Sequence, residues 1–363
     1  MSTRKSSSPE NSPRDRVNKT SEERIPRAWF KELDILRRIL DGSGVVNKPQ
    51  IMPFGVKGSP SLHVTTVSTS ISMSDFDEVS KRGYKIYIVK EKHRPKLRKE
   101  FLTQLEKAAE VGAKLVCFNE LAYPTPVDRA QDKKFQEQIK EIVAAAELFL
   151  IAGSYHHPTN FYNISPIFSP VPLRGEAGRG PRVYSHAKLT SAVRVEEMIR
   201  IPSDRNLRYY ETQFGSFTIL ICLDAYDPAL VLRLMRMNYQ FNEENKVDVV
   251  FVPSFNVEKG LSQAKACRDL SYATGSLVAY VNCAATEPRH AVYLAGHELP
   301  VVKKDDPVST FGSKAVNTHT MLHEVSYDFY HKCRTDRTDE YNPIFTYLIG
   351  QKRGLRKELD LLR

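Results

Sequence analysis

From Tyr84 onwards, short apolar runs alternate with longer amphipathic stretches along the chain. The runs "YKIYIVK", "KLVCF", "FLIAGSYHH", "VDVVFVPSF" and "LVAYVNCA" have the length and β-branched content of buried strands. "YNISPIFSP" and "RVYSHAKL" predict a strand pair around the Gly-rich turn 174–180. "RPKLRKEFLTQLEKAAEVG", "FQEQIKEIVAAAEL" and "LSQAKACRDLSYATG" have helical apolar spacing. "YKIYIVK", the first helix and "KLVCF" predict a βαβ unit, and the whole alternation predicts an α/β layered fold.

A buried strand also gives way to a helix within "FTILICLDAYDP", Phe217 to Pro228. Asp227 is an acceptor at the N-cap position and Pro228 suits the first helical turn, so the helix is predicted to begin there. Cys222 then lies at the carboxyl end of the strand, the edge where ligands bind in parallel α/β folds. A thiol near a helix N-terminus can have a lowered pKa, which makes Cys222 a candidate nucleophile. The alternative is one more buried apolar cysteine.

The flanking regions differ in composition from this regular part of the chain. Residues 1–24 are rich in Ser, Pro and charged residues, which predicts a disordered tail. Residues 25–82 form a predicted N-terminal extension, with one helix in "PRAWFKELDILRRILD" and one possible strand in "LHVTTVSTSI". The main domain is predicted over residues 83–340, and residues 341–363 are predicted to form a C-terminal extension.

The composition is that of a globular protein. It bears on nucleic acid binding, on metal or disulfide sites and on membrane insertion. The 363 residues carry a formal net charge of +10, but basic and acidic residues are interleaved, so we do not expect nucleic acid binding. The five cysteines lack CxxC pairing, which argues against a zinc site or a disulfide framework. No apolar targeting core occurs at the N-terminus, and no run approaches the roughly 18 apolar residues of a membrane span. We therefore predict a cytoplasmic protein.

Three chemically active side chains each follow a predicted strand. Glu120 follows "KLVCF", Lys188 follows "RVYSHA" and Cys222 follows "FTILI", so three strands are able to bring them into one site. There the carboxylate would take the thiol proton, the thiolate would attack an electrophilic carbon, and the ammonium would stabilise the oxyanion. The backbone N–H of Leu223 is a candidate second donor to that oxyanion. The alternatives are a helix cap for Glu120 and a solvated loop residue for Lys188.

These segments resemble the signatures of the nitrilase superfamily of carbon–nitrogen hydrolases, and the resemblance covers about residues 84–334. "VGAKLVCFNE" is similar to the family's "GAxLVxFPE", which implies that Glu120 is the general base. "VYSHAKL" resembles the family's lysine segment, which implies that Lys188 is the oxyanion lysine. "ICLDAYDP" matches the "ICxDxxxP" block, with Cys222 as the nucleophile and Asp224 beside it. "FYNISPIFSP" and "STFGSKAV" are weaker similarities in the expected order.

The chain departs from the family pattern on both sides of these residues. Asn119 stands where the family has a proline, and Tyr226 and Asp227 stand where it commonly has Arg-Phe. The differences flank the three residues rather than replace them, so they bear on the substrate pocket. Many family members carry a second glutamate after the lysine that contacts its ammonium. Glu196 and Glu197 both lie in that interval, and we favour Glu197.

Other residues near strand ends are candidates for the wall of a substrate pocket. Tyr123 and Phe255 lie close in sequence to strand ends, and Asp224 follows the nucleophile by two residues. His156 and His157 also end a strand, but adjacent residues on a strand point to opposite faces. Neither histidine is therefore assigned a catalytic role.

The resemblance implies a four-layer α-β-β-α sandwich that forms a homo-oligomer, a dimer or larger, and that needs no metal or organic cofactor. It implies hydrolysis of a non-peptide carbon–nitrogen bond through a cysteine thioester, with an amide as the first substrate class and a nitrile or carbamoyl compound next. Two other functions stay open: a catalytically idle binding or scaffold module of this fold, and a basic nucleic-acid-associated protein. The particular substrate does not follow from the sequence, because specificity resides in loops and a few pocket side chains.

Overall fold

The structure is a computed structural model, and it describes residues 50–51, 61–171, 180–192, 197–203, 206–212, 214–240, 247–256, 261–283, 289–302 and 311–326. By its internal contacts the chain divides into residues 1–44 and residues 45–363, and the described residues belong to the second unit. The predicted tail 1–24, the helix predicted in the N-terminal extension and the C-terminal extension 341–363 lie outside the described residues.

Four α-helices and seventeen strands form the regular part of the described residues. The helices are α1 (Arg94–Glu110), α2 (Arg129–Ala146), α3 (Pro228–Gln240) and α4 (Leu261–Thr274). The strands are β1 (Gln50–Ile51), β2 (Ser61–Val67), β3 (Phe76–Lys81), β4 (Tyr84–Val89), β5 (Leu115–Phe118), β6 (Phe149–Ile151), β7 (Tyr155–His156), β8 (Asn163–Ser169), β9 (Arg182–Ala187), β10 (Tyr209–Thr212), β11 (Gly215–Ile219), β12 (Val249–Pro253), β13 (Leu277–Val281), β14 (His290–Leu294), β15 (His297–Glu298), β16 (Phe311–Asn317) and β17 (Thr320–Ser326). Among the described residues, none of the helices combines the length and the apolar character that crossing a membrane requires.

Local sequence signals explain where the helices begin and end. α1 has Pro95 in its first turn and is followed by Gly112, which has a φ of +76° at the helix exit. α2 begins after Asp128, whose side chain accepts two first-turn N–H groups. α3 begins at Pro228, and the Asp227 carboxylate accepts a first-turn N–H at 2.9 Å. The helix start predicted at Asp227 and Pro228 is therefore confirmed.

The strands form two large sheets and one separate ribbon. The first sheet has the order β16-β17-β2-β5-β6-β8-β7, with β9 paired to β8, and the second has the order β1-β10-β11-β12-β13-β14-β15. Within them, β2, β5 and β6 are parallel, as are β11, β12 and β13. β8 and β9 form the antiparallel pair predicted from their sequences. β3 and β4 pair with each other in an antiparallel ribbon.

The two large sheets pack face to face through a shared apolar core. Strand β5 shows how one run serves two layers: Leu115 and Cys117 point into the core between the sheets, while Val116 and Phe118 point towards the helices. α1 and α2 cover that helix-facing side of the first sheet. α4 contacts β13 and β14 of the second sheet and packs against α3. The layers are thus helix, sheet, sheet and helix, which is the predicted α-β-β-α order.

The predicted first βαβ unit is wrong in its first strand. β4, the "YKIYIVK" strand, pairs with β3 in the ribbon, and the strand parallel to β5 is β2. The physical reason is burial: four of the six β4 residues are only half-buried, whereas a parallel sheet strand needs both faces covered. Because β2 lies inside the first sheet, the main fold includes residues from Ser61 onwards, earlier than the predicted boundary at residue 83.

The carboxyl ends of the parallel strands from both sheets converge on one edge. There the predicted strand "FLIAGSYHH" is divided into β6 and β7 by a turn at Gly153. Gly153 has φ +71°, and a Cβ at this position would lie 2.1 Å from the carbonyl oxygen of Asn119. This close approach requires glycine. It packs the turn after β6 against the turn after β5, which carries Glu120.

We expect His186 on β9 to make the stability of the fold dependent on pH. It is fully buried, and among the described residues neither ring nitrogen makes a hydrogen bond of normal geometry, although the backbone of Ile219 lies near. Burial and the charge of Arg208 lower the pKa of His186 to about 3. Between that value and the ordinary pKa of about 6.5, the unfolded state binds more protons. Stability is therefore lost as the pH falls through this window.

When the pH falls from 7 to 5, we expect the unfolding free energy of the wild type to decrease by about 2 kcal/mol more than that of His186→Phe. Denaturant-induced unfolding at the two pH values measures this difference. His297→Gln, on the exposed strand β15, is the control and should keep the wild-type pH dependence. An unchanged pH dependence in His186→Phe would contradict the assignment of a buried neutral histidine.

Candidate active site

Glu120 is held in the turn that follows β5. Its Oε1 atom accepts a hydrogen bond from Lys188 Nζ at 2.7 Å, and its Oε2 atom accepts one from the backbone N–H of Phe255 at 3.1 Å. Asn119 fixes the turn, because its Oδ1 accepts the N–H of Thr69 at 2.8 Å and its Nδ2 donates to the Glu120 carbonyl at 2.7 Å. The residue that replaces the family's proline therefore anchors the glutamate to the segment after β2.

Lys188 lies directly after β9 and is 1% exposed. Its Nζ atom donates to Glu120 Oε1 at 2.7 Å and to Glu197 Oε2 at 2.6 Å. Its backbone N–H donates to the carbonyl of Asn163 at 2.9 Å, which extends the pairing of β8 and β9 to this residue. The ammonium thus lies between two buried carboxylates. Glu197 makes the contact for which spacing left two candidates, and Glu196 lies outside the described residues.

Cys222 follows β11 and begins the short 3-10 helix Cys222–Tyr226. Its φ of +51° is uncommon for a residue other than glycine, and its carbonyl accepts a hydrogen bond at 2.7 Å from Gln263 on α4. The side chain is buried, and the charges of Glu120 and Lys188 are close enough to act on its pKa. The structure therefore brings the predicted sulfur, ammonium and carboxylate into one site.

The charges in this site shift one another's pKa values. Burial and the Glu120 carboxylate raise the pKa of the Cys222 thiol well above its usual range, although Lys188 opposes them. Burial also raises the pKa of Glu120. Burial acts to lower the pKa of Lys188, but the two carboxylates outweigh it and raise that pKa. The pKa of Glu197 is lowered, because Lys188 and His156 outweigh its burial. The shift of the Cys222 pKa is thus opposite in direction to the lowered pKa expected from its place near a helix start.

Asp224 has a structural position rather than a place in the pocket wall. Its fully buried carboxylate accepts the N–H of Leu189 at 3.1 and 3.2 Å and the N–H of Ile221 at 3.1 Å. Burial raises the pKa of Asp224 to about 7. The carboxylate links the residue after Lys188 to the residue before Cys222. It thus fixes the lysine and the cysteine relative to each other.

Of the two aromatic residues predicted to line the pocket, Phe255 lies at the site and Tyr123 does not. Tyr123 is not placed at the site: its ring packs with Phe101 and Phe135 in the helix-facing core of the first sheet. Its position near a strand end did not reveal that the chain turns back into the core after Glu120. Phe255 does lie at the site, where its N–H binds that glutamate and its ring contacts Phe76 edge-on, with ring centroids 5.6 Å apart.

The sequence alone did not identify two further residues of this network. Asn163 Nδ2 donates to Glu120 Oε1 at 3.0 Å and to Glu197 Oε1 at 3.1 Å. His156 Nε2 lies 2.7 Å from Glu197 Oε1. A signal for Asn163 was present in the strand "YNISPIFSP", which resembles a family segment. His156 had no such signal, because its partner Glu197 is 41 residues away in the chain.

Among the described residues, no group of three or more His, Cys, Asp or Glu side chains is arranged to hold a metal ion. The site is instead an ion network of one ammonium and two carboxylates, with a thiol beside it. Its chemical capacity follows from these groups. The arrangement joins a proton acceptor, a nucleophile and a fixed positive charge, which are the elements of covalent acyl transfer.

The fold and the site together define an α/β sandwich with a Glu-Lys-Cys cluster at its strand ends. Solved structures of nitrilase superfamily members share this fold. Nit3 of Saccharomyces cerevisiae, a member of branch 10 of that superfamily, aligns with a TM-score of 0.53 and 15% identity over 80% of this chain and 99% of Nit3. An amidase from Nesterenkonia sp. aligns with a TM-score of 0.51 and 14% identity over 78% of this chain and 97% of the amidase. The nitrilase-type fold implied by the sequence resemblance is thereby confirmed.

A third structure shows the same relationship. XC1258 from Xanthomonas campestris, a CN-hydrolase superfamily protein with an arsenic adduct in its active site, aligns with a TM-score of 0.52 and 13% identity over 77% of this chain and 98% of its own. A mutant of the Nesterenkonia amidase carries the acetamide moiety of fluoroacetamide on its active-site cysteine. No family model matches the sequence, and no curated protein matches it significantly. At these identities the comparisons establish the fold.

Proposed function

We propose that this chain is a hydrolase of non-peptide carbon–nitrogen bonds, with an amide as the first substrate class and a nitrile or carbamoyl compound next. The observation that carries the proposal is the Lys188 ammonium, which lies between the carboxylates of Glu120 and Glu197 beside the thiol of Cys222. Burying three charges has a large desolvation cost, which favours a functional reason for this cluster. The amidases that share the fold support the same class of reaction.

The first half of the proposed reaction forms a thioester. Glu120 takes the proton of the Cys222 thiol as the sulfur attacks the carbonyl carbon, and the carbonyl oxygen becomes an oxyanion. Lys188 and the backbone N–H of Leu223, the second residue of the 3-10 helix, stabilise that charge. The proton held by Glu120 passes to the nitrogen. The carbon–nitrogen bond then breaks, and ammonia or an amine leaves.

The second half of the reaction releases the acid. Glu120 takes a proton from a water molecule as the water oxygen attacks the thioester carbon, and Lys188 again faces the oxyanion. Collapse of this intermediate breaks the carbon–sulfur bond. The Cys222 thiolate takes the proton back from Glu120, and the carboxylic acid departs. The scheme uses only these side chains, the backbone and water, and it returns every group to its starting state.

A catalytically idle module of the same fold is the main alternative. It predicts that the Cys222 thiol reacts no faster with a thiol-directed probe than the buried Cys117 and Cys267 do. A nucleic-acid-associated role predicts binding to DNA or RNA at low salt, where phosphate contacts are strongest. A cytoplasmic location and a homo-oligomeric state complete the proposal, and sedimentation measurements test the latter.

The proposal is tested by screening a panel of small amides, carbamoyl amines and nitriles for release of ammonia or amine. The wild-type protein should turn over at least one of them, with the Cys222→Ala protein as the blank. Mass spectrometry after rapid quenching should find the acyl group on the peptide that contains Cys222. Equal ammonia release by both proteins would refute the cysteine mechanism.

A further inference from the structure

Glu197 owes its position to side chains from other parts of the chain. Its Oε2 atom accepts from Lys188 Nζ at 2.6 Å and from the N–H of Ala192 at 3.2 Å. Its Oε1 atom accepts from Asn163 at 3.1 Å and lies 2.7 Å from His156 Nε2. The histidine contact is the shorter of the two on Oε1. It therefore bears directly on which way the carboxylate faces the lysine.

The protonation of His156 at this contact follows from its partners. An ionised carboxylate only accepts hydrogen bonds, so the Nε2 atom 2.7 Å from Glu197 Oε1 carries the hydrogen. The Nδ1 atom lies 3.1 Å from the backbone nitrogen of Tyr87 and 3.0 Å from its carbonyl oxygen. Nε2 is the donor whichever of these two backbone groups Nδ1 uses. The ring is 1% exposed, so water does not compete for the bond.

Tyr87 belongs to the ribbon of β3 and β4, which contacts the site at a second place. The backbone groups of Lys85 and Met198 exchange two hydrogen bonds of 2.9 Å, and Met198 directly follows Glu197. The ribbon thus holds both the ring that donates to Glu197 and the backbone beside Glu197. Both anchors, Lys85 and Tyr87, lie on strand β4 of the ribbon. They define where the carboxylate lies relative to the lysine.

We propose that His156 is a positioning residue, which holds Glu197 so that the Lys188 ammonium points towards the developing oxyanion. This inference rests on the proposed function and deepens it, because it adds a layer that connects the site to the ribbon. Glu120 gives up its negative charge when it takes the thiol proton. Glu197 is then the anion that keeps Lys188 in place. Loss of the hydrogen bond that His156 donates to Glu197 should therefore lower the rate of the acyl-transfer steps most.

The test compares His156→Leu with His156→Gln, because the Gln Nε2 atom reproduces the donor at the position of the histidine Nε2. Turnover of the amide found in the panel gives kcat and KM. Alkylation of Cys222 by iodoacetamide measures the reactivity of the thiol in a reaction that forms no oxyanion. In His156→Leu we expect kcat to fall about ten- to a hundredfold with KM within about threefold, the size of a charge-assisted hydrogen bond. Alkylation of Cys222 should stay within about threefold of the wild type.

His156→Gln should recover most of the lost kcat, and His157→Gln is the matched control. His157 is the next residue but bonds within its own turn, to Thr159, so its variant should keep wild-type kcat. A wild-type kcat in His156→Leu would overturn the inference. Parallel loss of alkylation and kcat without recovery in His156→Gln would also overturn it, since that indicates structural damage. A wild type that neither turns over the panel nor alkylates at Cys222 would refute the proposed function itself.

Discussion

Replacing Cys222 with Ala should reduce turnover by a factor on the order of 10⁴ or more, to the background of the assay. The reason is that the sulfur forms and breaks the covalent bond to the acyl group, so no other side chain of the site replaces it. Glu120 and Lys188 stay in place in this variant, since their contacts to each other and to Glu197 do not involve the sulfur. Steady-state kinetics on the amide from the panel measures the effect.

The matched control for this prediction is Cys267→Ala. Cys267 is also fully buried, and burial also raises the pKa of its thiol, but it lies on α4 outside the charged cluster. We expect it to keep activity within a few-fold of the wild type. Both variants should unfold cooperatively, with a cost of about 1 to 2 kcal/mol for a small buried truncation. Substantial turnover by Cys222→Ala would exclude the thioester route.

Replacing Lys188 with Met should have the second large effect, on stability as well as on activity. The ammonium is 1% exposed, and without it the Glu120 and Glu197 carboxylates face each other in the protein interior with no cation between them. Removing one partner of a buried ion network costs about 3–5 kcal/mol. We therefore expect the unfolding free energy at pH 7 to fall by about that amount, and turnover to be lost. Denaturant-induced unfolding measures the first effect.

Two further variants test whether the uncompensated buried carboxylates cause the loss of stability in Lys188→Met. Lys188→Met combined with Glu197→Gln should regain part of the lost stability, because only one buried carboxylate then remains uncompensated. Lys140→Met is the control, since Lys140 forms an exposed pair with Glu137 at 2.9 Å, and such pairs contribute about 0.5 kcal/mol or less. If Lys188→Met unfolds no more readily than Lys140→Met, the ion network does not stabilise the folded protein.

Asn119 and Asp227, which depart from the family pattern beside the site, both make side-chain hydrogen bonds in the fold. In the first sheet, β5 ends and Asn119 turns the chain through hydrogen bonds to Thr69, where a proline would restrict the backbone without making side-chain bonds. Near Cys222, Asp227 caps α3, and its other carboxylate oxygen accepts from Thr190 at 3.2 Å. Both departures from the family pattern therefore have local structural roles in this chain.

The pairing of β4 with β3 could not be predicted from the sequence. The run "YKIYIVK" has the composition of a sheet strand, and its local pattern does not show which strand it pairs with. Pairing is decided by burial in the folded protein, because five of the seven β2 residues are buried, whereas four of the six β4 residues are only half-buried. Tyr87 and His156, 69 residues apart, meet only through that choice.

By itself, the sequence determined the alternation of helices and strands, the helix start at Asp227 and Pro228, and the candidacy of Glu120, Lys188 and Cys222, because these depend on local propensity and short motifs. Only the tertiary structure decided that Glu197 and His156 complete the ion network and that Tyr123 belongs to the core. Contacts between segments tens of residues apart arise from packing of layers and burial of charge, which no local pattern records.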